Sequence, residues 1–315
     1  MIARFRADCA RIWHGEGRLG IAVSGGPDSI ALLLLAHAAM PGAIEAASVD
    51  HGLRPGSAGE AQVVARHCAV LSVPHRILPV TVAGGNMQSE ARRARYAALG
   101  EWATERGLAA IMTAHHADDQ AETLLMRLNR GSGLAGLAGV RPVGVVPNSD
   151  VPVLRPLLQW RNAELVAIAH ASGLELAADP SNDDTRFDRV AMRRHLTQAE
   201  WIDPAAFARS AAHLAEAEAY CAQQIARSYA ERVTYAGTAI EYRPCDQPFA
   251  DIEIVRQIIG EWGGAPSRSE LDRLVNRLGR SEAASLAGVH ASAIEKADEI
   301  VWRFRPEPYR KAGEF

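Results

Sequence analysis

The sequence predicts an α/β fold: a parallel sheet with crossover helices, then a long helix, then a small α+β domain. Three observations carry this. Between Leu19 and about Pro180, short apolar runs alternate with longer helical ones, the pattern of strands joined through helices. Beyond Pro180 the alternation stops, and an alanine-rich stretch at 204–232 reads as one helix. The length, 315 residues, fits two domains of roughly 100–200 residues each.

In chain order, the apolar runs predict strands at 19–23, 44–49, 75–80 and 109–113, and the intervening patterns predict helices at 29–39, 59–72, 89–106 and 118–129. Each strand run ends in a glycine-rich or polar turn, and in open α/β sheets ligands bind at the carboxyl ends of the strands. The tail predicts helices near 252–261 and 269–278 and strands at 284–294 and 299–304. The expected division is residues 1–200, a linker helix 201–232, and a small domain 233–315.

Hydrophobic residues make up 48% and charged residues 23%, ordinary globular values that exclude wholesale disorder. The longest apolar stretch, 30–40, contains His37 and is far short of the roughly 20 residues that span a bilayer. The first residues alternate charge with short apolar pieces and contain no signal-peptide core, so a cytoplasmic location is expected. Cys9, Cys68, Cys221 and Cys245 include no CxxC pair, which argues against a disulfide framework and a cysteine metal site. Only Lys296 and Lys311 are lysines, so no glycine loop carries the lysine of a Walker P-loop. The net charge of −3 means that a nucleic acid would be held by local arginine clusters rather than by a global field.

The strongest local signal is Ser24-Gly25-Gly26-Pro27-Asp28-Ser29 between the first strand and its helix. Two glycines let backbone N–H groups turn into one concavity, and Ser24, Ser29 and the helix N-terminus add donors for a pyrophosphate. Asp28 would repel that anion unless a divalent cation lay between them, which points to Mg²⁺. The bland reading is a tight turn with capping side chains. GxGxxG is absent, which disfavours a dinucleotide.

His115, Asp119 and Glu122 are spaced i, i+4, i+7 and share a face if helical geometry reaches back to His115. A carboxylate pair there suits an ammonium substrate and its proton; the alternative is a capped helix with solvated acids. A metal hydrolase is disfavoured because HExxH is missing. Arg92 and Arg95 lie one turn apart, as do Arg186, Arg189 and Arg193, rows that neutralise phosphates or simply face solvent. Gly131, Gly133, Gly136 and Gly139 either approach a ligand or form a loose connection.

Together these motifs carry a resemblance. SGGxDS resembles the PP-loop of the ATP pyrophosphatase superfamily. Within it, VDHGLR from Val49, ARRARY from Ala91, AHHADDQAET from Ala114 through RGSGL from Arg130, and DPSN from Asp179 with Arg189 and Arg193 resemble the tRNA(Ile)-lysidine synthetases, short form. The resemblance implies an adenine nucleotide alpha hydrolase-like PP-loop domain and a C-terminal domain that recognises tRNA. It implies a two-step ligation: cytidine 34 in the CAU anticodon of tRNA(Ile) is adenylated by ATP at its C2 oxygen, and lysine then displaces AMP. Asp28, Arg95, His115, Asp119 and Glu122 would serve the reaction. Ser24, Gly25, Gly26, Asp28, Ser29 and Asp50 would bind ATP, with Mg²⁺ on Asp28, and Arg54, Arg92, Arg186, Arg189 and Arg193 would bind RNA. Val190 stands where the family usually has asparagine. Other readings are a thiolating or amidating PP-loop enzyme, the former disfavoured by the lack of a cysteine pair, and an RNA-binding module that uses ATP structurally.

Overall fold

The computed structural model describes residues 1–52, 57–81, 87–177, 188–199 and 201–307. They form two compact units, Met1–Glu216 and Ala217–Phe315. The division falls inside the helix Pro204–Arg232, which the sequence reads as the linker.

The first unit contains α1 (Ile2–Ile12), β1 (Leu19–Ala22), α2 (Pro27–Ala39), β2 (Ile44–Asp50), α3 (Ser57–Val70), β3 (His75–Pro79) and α4 (Met87–Arg106). It continues with β4 (Ala110–Met112), α5 (Ala117–Asn129), α6 (Leu134–Leu137), β5 (Val143–Val145), β6 (Pro152–Leu154), α7 (Asn162–Ala171) and α8 (Asp188–Gln198). The helix α9 (Pro204–Arg232) follows. The six strands are ordered β3-β2-β1-β4-β6-β5, and only β5 runs antiparallel to its neighbour. Leu19 of β1 lies opposite both Ile44 and Ala110, so β1 is central, with the chain winding outward on both sides. That reversal between β1 and β4 opens the crevice in which ligands bind in such sheets.

The four expected strands and four expected helices of this unit are all present. α2 begins two residues early because Gly26 caps it and Pro27, whose φ suits a helix start, takes its first position. Its apolar run is buried along nearly the whole helix, from Ile30 to Ala36, because α2 packs on the sheet and beneath α1 and α7. Burying such side chains contributes roughly 1.5–3 kcal/mol each. A second cluster on Tyr96, Leu99 and Trp102 of α4 covers the sheet from elsewhere in the chain. The sequence reading did not include α1, α7 or the β5–β6 hairpin; the hairpin's strands have three residues each, too few to show an alternation.

In the second unit, β7 (Val233–Ala236), β8 (Ala239–Tyr242), α10 (Pro248–Gly260), α11 (Arg268–Gly279), β9 (Ala284–Leu286), β10 (Val289–Lys296) and β11 (Glu299–Pro306) follow the end of α9. Its sheet, β7-β8-β11-β10-β9, is antiparallel and buries Tyr242, Trp302 and Phe304 against Ile254, Ile258 and Leu271 of the two helices. The single strand expected at 284–294 is two. Ala287 (φ 50°) and Gly288 (φ 77°) both adopt the left-handed conformation that a tight hairpin turn requires, and the chain reverses there.

Candidate active site at the carboxyl edge of the sheet

The loop from Ser24 to Ser29 joins β1 to α2. The Ser29 hydroxyl lies inside it: Oγ accepts the N–H groups of Ser24 and Gly25, both at 3.1 Å, and donates to the Gly26 carbonyl at 2.9 Å. Ser24 Oγ sits 3.2 Å from the same hydroxyl. Ser29 was expected to point at an anion; instead it ties the loop to itself and shapes the cradle. Gly25 has φ +91°, and a Cβ there would come within 2.9 Å of Ala177 Cβ, so glycine is required both for the turn and for the close approach of 177.

Asp28, in the first turn of α2, faces α5 across the crevice. Its Oδ1 accepts the Asn162 amide at 2.8 Å, and its Oδ2 lies 3.5 Å from His116 Nε2. His116 is the N-cap of α5 in a capping box: its Nδ1 faces the Asp119 N–H at 3.4 Å while Asp119 Oδ2 accepts the His116 N–H at 3.1 Å. The helix therefore starts at Ala117, and His115 lies outside it. The expected i, i+4, i+7 face of His115, Asp119 and Glu122 does not form, because His116 ends the extended segment and caps the helix.

The two histidines are driven in opposite directions. His115 is held to about 3: burial is the main cause, Asp119 opposes it, and Arg155, Arg92 and Arg189 add to it, so the ring is neutral. Its Nδ1 meets the Thr113 hydroxyl at 3.0 Å. Burial also works against a charge on His116, but its hydrogen bond to Asp28 and the fields of Asp119, Asp28 and Asp118 prevail and raise its pKa. For Asp119, burial opposes ionisation, while His116, Arg189, His115 and the His116 N–H lower its pKa overall.

Glu122, one turn on, is 1% exposed. Oε2 accepts from Arg189 Nε at 2.8 Å and Oε1 from Arg193 Nε at 2.7 Å; Arg189 Nη2 also reaches Asp119 Oδ1 at 3.3 Å. Arg189 and Arg193, expected to face phosphates, thus dock α8 onto α5 through carboxylates, and the acids, expected to await an ammonium, already have cationic partners. Arg92 stacks over the Tyr96 ring at 5.0 Å on α4. Arg95, with burial the larger cause, holds the His51 imidazole below its usual range. Asp50 ends β2 at the same sheet edge, and its Oδ1 accepts the Gly52 N–H at 3.0 Å. Arg54 and Arg186 lie outside the described residues.

The glycine-rich stretch packs on its own chain. The Gln120 side chain pairs with both backbone groups of Val140, at 2.7 and 2.8 Å, and a Cβ on Gly139 (φ +65°) would stand 2.6 Å from Gln120 Oε1. The sequence reading left out His116, Asn162 and the Asp118–Arg161 pair (3.2 Å) that brackets α7. His116 had a legible signal, the H-x-x-D spacing of a capping box; Asn162 had none, being brought to Asp28 from 134 positions away.

The PP-loop domain family matches residues 2–200. A tRNA(Ile)-lysidine synthase of Novosphingobium aromaticivorans is 43% identical over 98% of this chain and 95% of its own. One from Zymomonas mobilis is 41% identical over 94% and 90%. The U34-tRNA thiolase of Methanococcus maripaludis shares the fold (TM-score 0.56, 16% identity, over 68% of this chain and 76% of that one). With its glycine cradle at β1 and its capped acidic helix beyond β4, the chain belongs to the tRNA(Ile)-lysidine synthase family of PP-loop proteins.

Proposed function

We propose that the chain is an ATP-dependent ligase that attaches lysine to C2 of cytidine 34 in the CAU anticodon of tRNA(Ile), through an adenylated tRNA. The observation that carries this is the line Asn162–Asp28–His116–Asp119, which joins the phosphate cradle to the acidic helix through polar contacts of 2.8–3.6 Å. A nucleotide in the cradle and an amine at the acids would then lie on either side of one reacting base. A PP-loop catalytic domain at 1–200, a linker at 201–232 and an RNA-recognising domain at 233–315 fit this reading, as does a cytoplasmic location. Among the described residues no helix is long and apolar enough to cross a membrane.

The residues divide the work. With the Ser24 and Gly25 N–H groups taken by Ser29, the N-terminus of α2 is what would face the triphosphate, and Asp50 borders the adenosine side at the end of β2. Mg²⁺ fits Asp28: the carboxylate uses two of about four acceptor positions, its side chain is 31% exposed, and Mg²⁺ commonly takes one protein carboxylate plus phosphate oxygens. No cluster of three or more acidic, histidine or cysteine ligands exists among the described residues. Bound there, it would neutralise charge on the departing pyrophosphate.

His116, whose pKa is raised by Asp28 and Asp119, accepts the Asp119 N–H at Nδ1 and so carries its proton on Nε2, toward Asp28 and the nucleotide side of the crevice. Asp119, already shared with Arg189 and His116, is the acid that would take the proton of lysine's amine as the C–N bond forms and the C–O bond to AMP breaks. Glu122 holds Arg189 and Arg193 and so positions α8. Mass analysis of cytidine 34 after incubation with tRNA(Ile), ATP and lysine tests the reading; the base gains lysine less water, and an unchanged base ends it. Pyrophosphate exchange that depends on tRNA separates it from an RNA-binding module.

A further inference from the structure

Three guanidinium groups converge on the backbone of 135–141. Arg127 Nη1, from α5, donates to the carbonyls of Gly136 (2.5 Å) and Gly139 (3.2 Å). Arg141 Nη2 donates to that of Ala135 at 3.4 Å. Arg155 Nη1, just beyond β6, donates to that of Arg141 at 2.8 Å. Arg155 is only 9% exposed, and its Nε is buried with no hydrogen-bond partner. Among the described residues neither Arg127 nor Arg155 forms an ion pair. Burying a guanidinium without an anion is costly, several kcal/mol for an isolated ion. Carbonyl dipoles alone offset only part of that, and the positive field is felt at both ends of the cluster: Arg155 lowers His115, and Arg141 and Arg189, after burial, lower Arg127.

We propose that Arg127 and Arg155, on the glycine-rich segment and the β5–β6 hairpin, form a second phosphate-binding strip for the sugar–phosphate backbone of the RNA substrate. The assignment rests on the tRNA reading above. Length decides between RNA and nucleotide. Arg127 lies ten residues into α5 from its start beside Asp28, about 15 Å at 1.5 Å per residue. That is the reach of several successive backbone phosphates, whereas the reading above assigns the triphosphate of ATP to the start of α2. Arg155 lies two strands away from β1, about 10 Å at the usual strand spacing. The strip therefore begins beside His115 and leads away from the cradle, as RNA flanking the reacting nucleotide must.

The test is the salt dependence of tRNA binding without ATP or lysine, for the wild-type chain, Arg127→Gln, Arg155→Gln and the double variant. Glutamine ends two bonds short of the Nη1 atoms that brace the segment, so circular dichroism and thermal unfolding establish that each variant is folded before its slope is read. Each phosphate contact with a single strand contributes about 0.7 to the slope of log affinity against log salt. Raising salt fourfold should therefore weaken each single variant about 2.6-fold less than wild type, and the double variant about sevenfold less. ATP affinity should be unchanged. Wild-type slopes in folded variants, or a loss confined to ATP, would overturn the proposal. If the variants do not fold, the structure of the wild-type chain bound to tRNA decides: a backbone phosphate in contact with either guanidinium supports the strip, and its absence there refutes it. A wild-type chain that neither binds nor modifies tRNA would instead remove the functional reading itself.

Discussion

Replacing Glu122 with glutamine tests whether this carboxylate anchors α8. In the wild-type chain it receives one charge-assisted hydrogen bond from each of Arg189 and Arg193, and such bonds contribute about 1.5–3 kcal/mol apiece. Glutamine keeps one oxygen and turns an N–H toward the other guanidinium, so one contact is lost and the other becomes neutral on the acceptor side. Stranding a buried charge costs about 3–5 kcal/mol. Here, though, the side chains of Arg189 and Arg193 are 41% and 47% exposed and can rehydrate, so the loss should be smaller, about 2 kcal/mol. That corresponds to about a thirtyfold increase in local opening. Hydrogen–deuterium exchange over 188–198 should accelerate by that factor, with Glu122→Asp intermediate. Single-turnover kinetics should show a slower lysine-dependent step and an adenylation step changed much less. Exchange over α8 within threefold of wild type would refute the anchoring role. A variant with unchanged α8 exchange and a raised Michaelis constant for lysine would make Glu122 a direct ligand of the ammonium.

Asp28→Ala should abolish adenylation while tRNA still binds, measured by pyrophosphate release and by tRNA titration; normal Mg²⁺-dependent AMP transfer would refute the metal role. Gly25→Ala imposes a side chain at φ +91° and a 2.9 Å contact with Ala177, a strain of about 1–2 kcal/mol, so pyrophosphate exchange should fall about 5- to 30-fold with the circular dichroism spectrum unchanged. The two histidines should give stability a maximum in pH. His116, raised above 6.5, stabilises the fold fully below that value and loses its contribution as pH rises through its folded pKa. His115, lowered to about 3, costs nothing above 6.5 and destabilises progressively as pH falls below it. Urea unfolding across pH should show His116→Asn flattening the alkaline limb and His115→Asn the acidic one. Replacing all four cysteines by alanine should leave activity in the folded protein, since burial pushes the Cys9 and Cys68 thiols to about 12 and no cysteine joins the site.

Sequence alone determined the features that are local in the chain. The strand–SGGPDS–helix junction, the four strands around it and the alanine-rich α9 are written in periodicity and turn chemistry, which act over a few residues. Motif order along the chain identified the family, and the motifs from Ser24, Val49 and Ala114 each lie at the end of a strand. Tertiary structure decided which partner each polar group takes. The spacing of His115, Asp119 and Glu122 suggested one helical face, but the helix start was set by a capping box at His116, a competition between two adjacent histidines that spacing does not resolve. The arginines of α8 look like a phosphate-binding row in one dimension; in three, the buried Glu122 draws Arg189 and Arg193 inward, because a desolvated carboxylate needs cationic partners more than an exposed arginine row needs an RNA. Asn162 reached Asp28, and Arg155 its buried place beside the glycine-rich segment, through sheet order alone: β6 lies next to β4, and that adjacency is fixed by packing of the whole sheet rather than by any residue near either group.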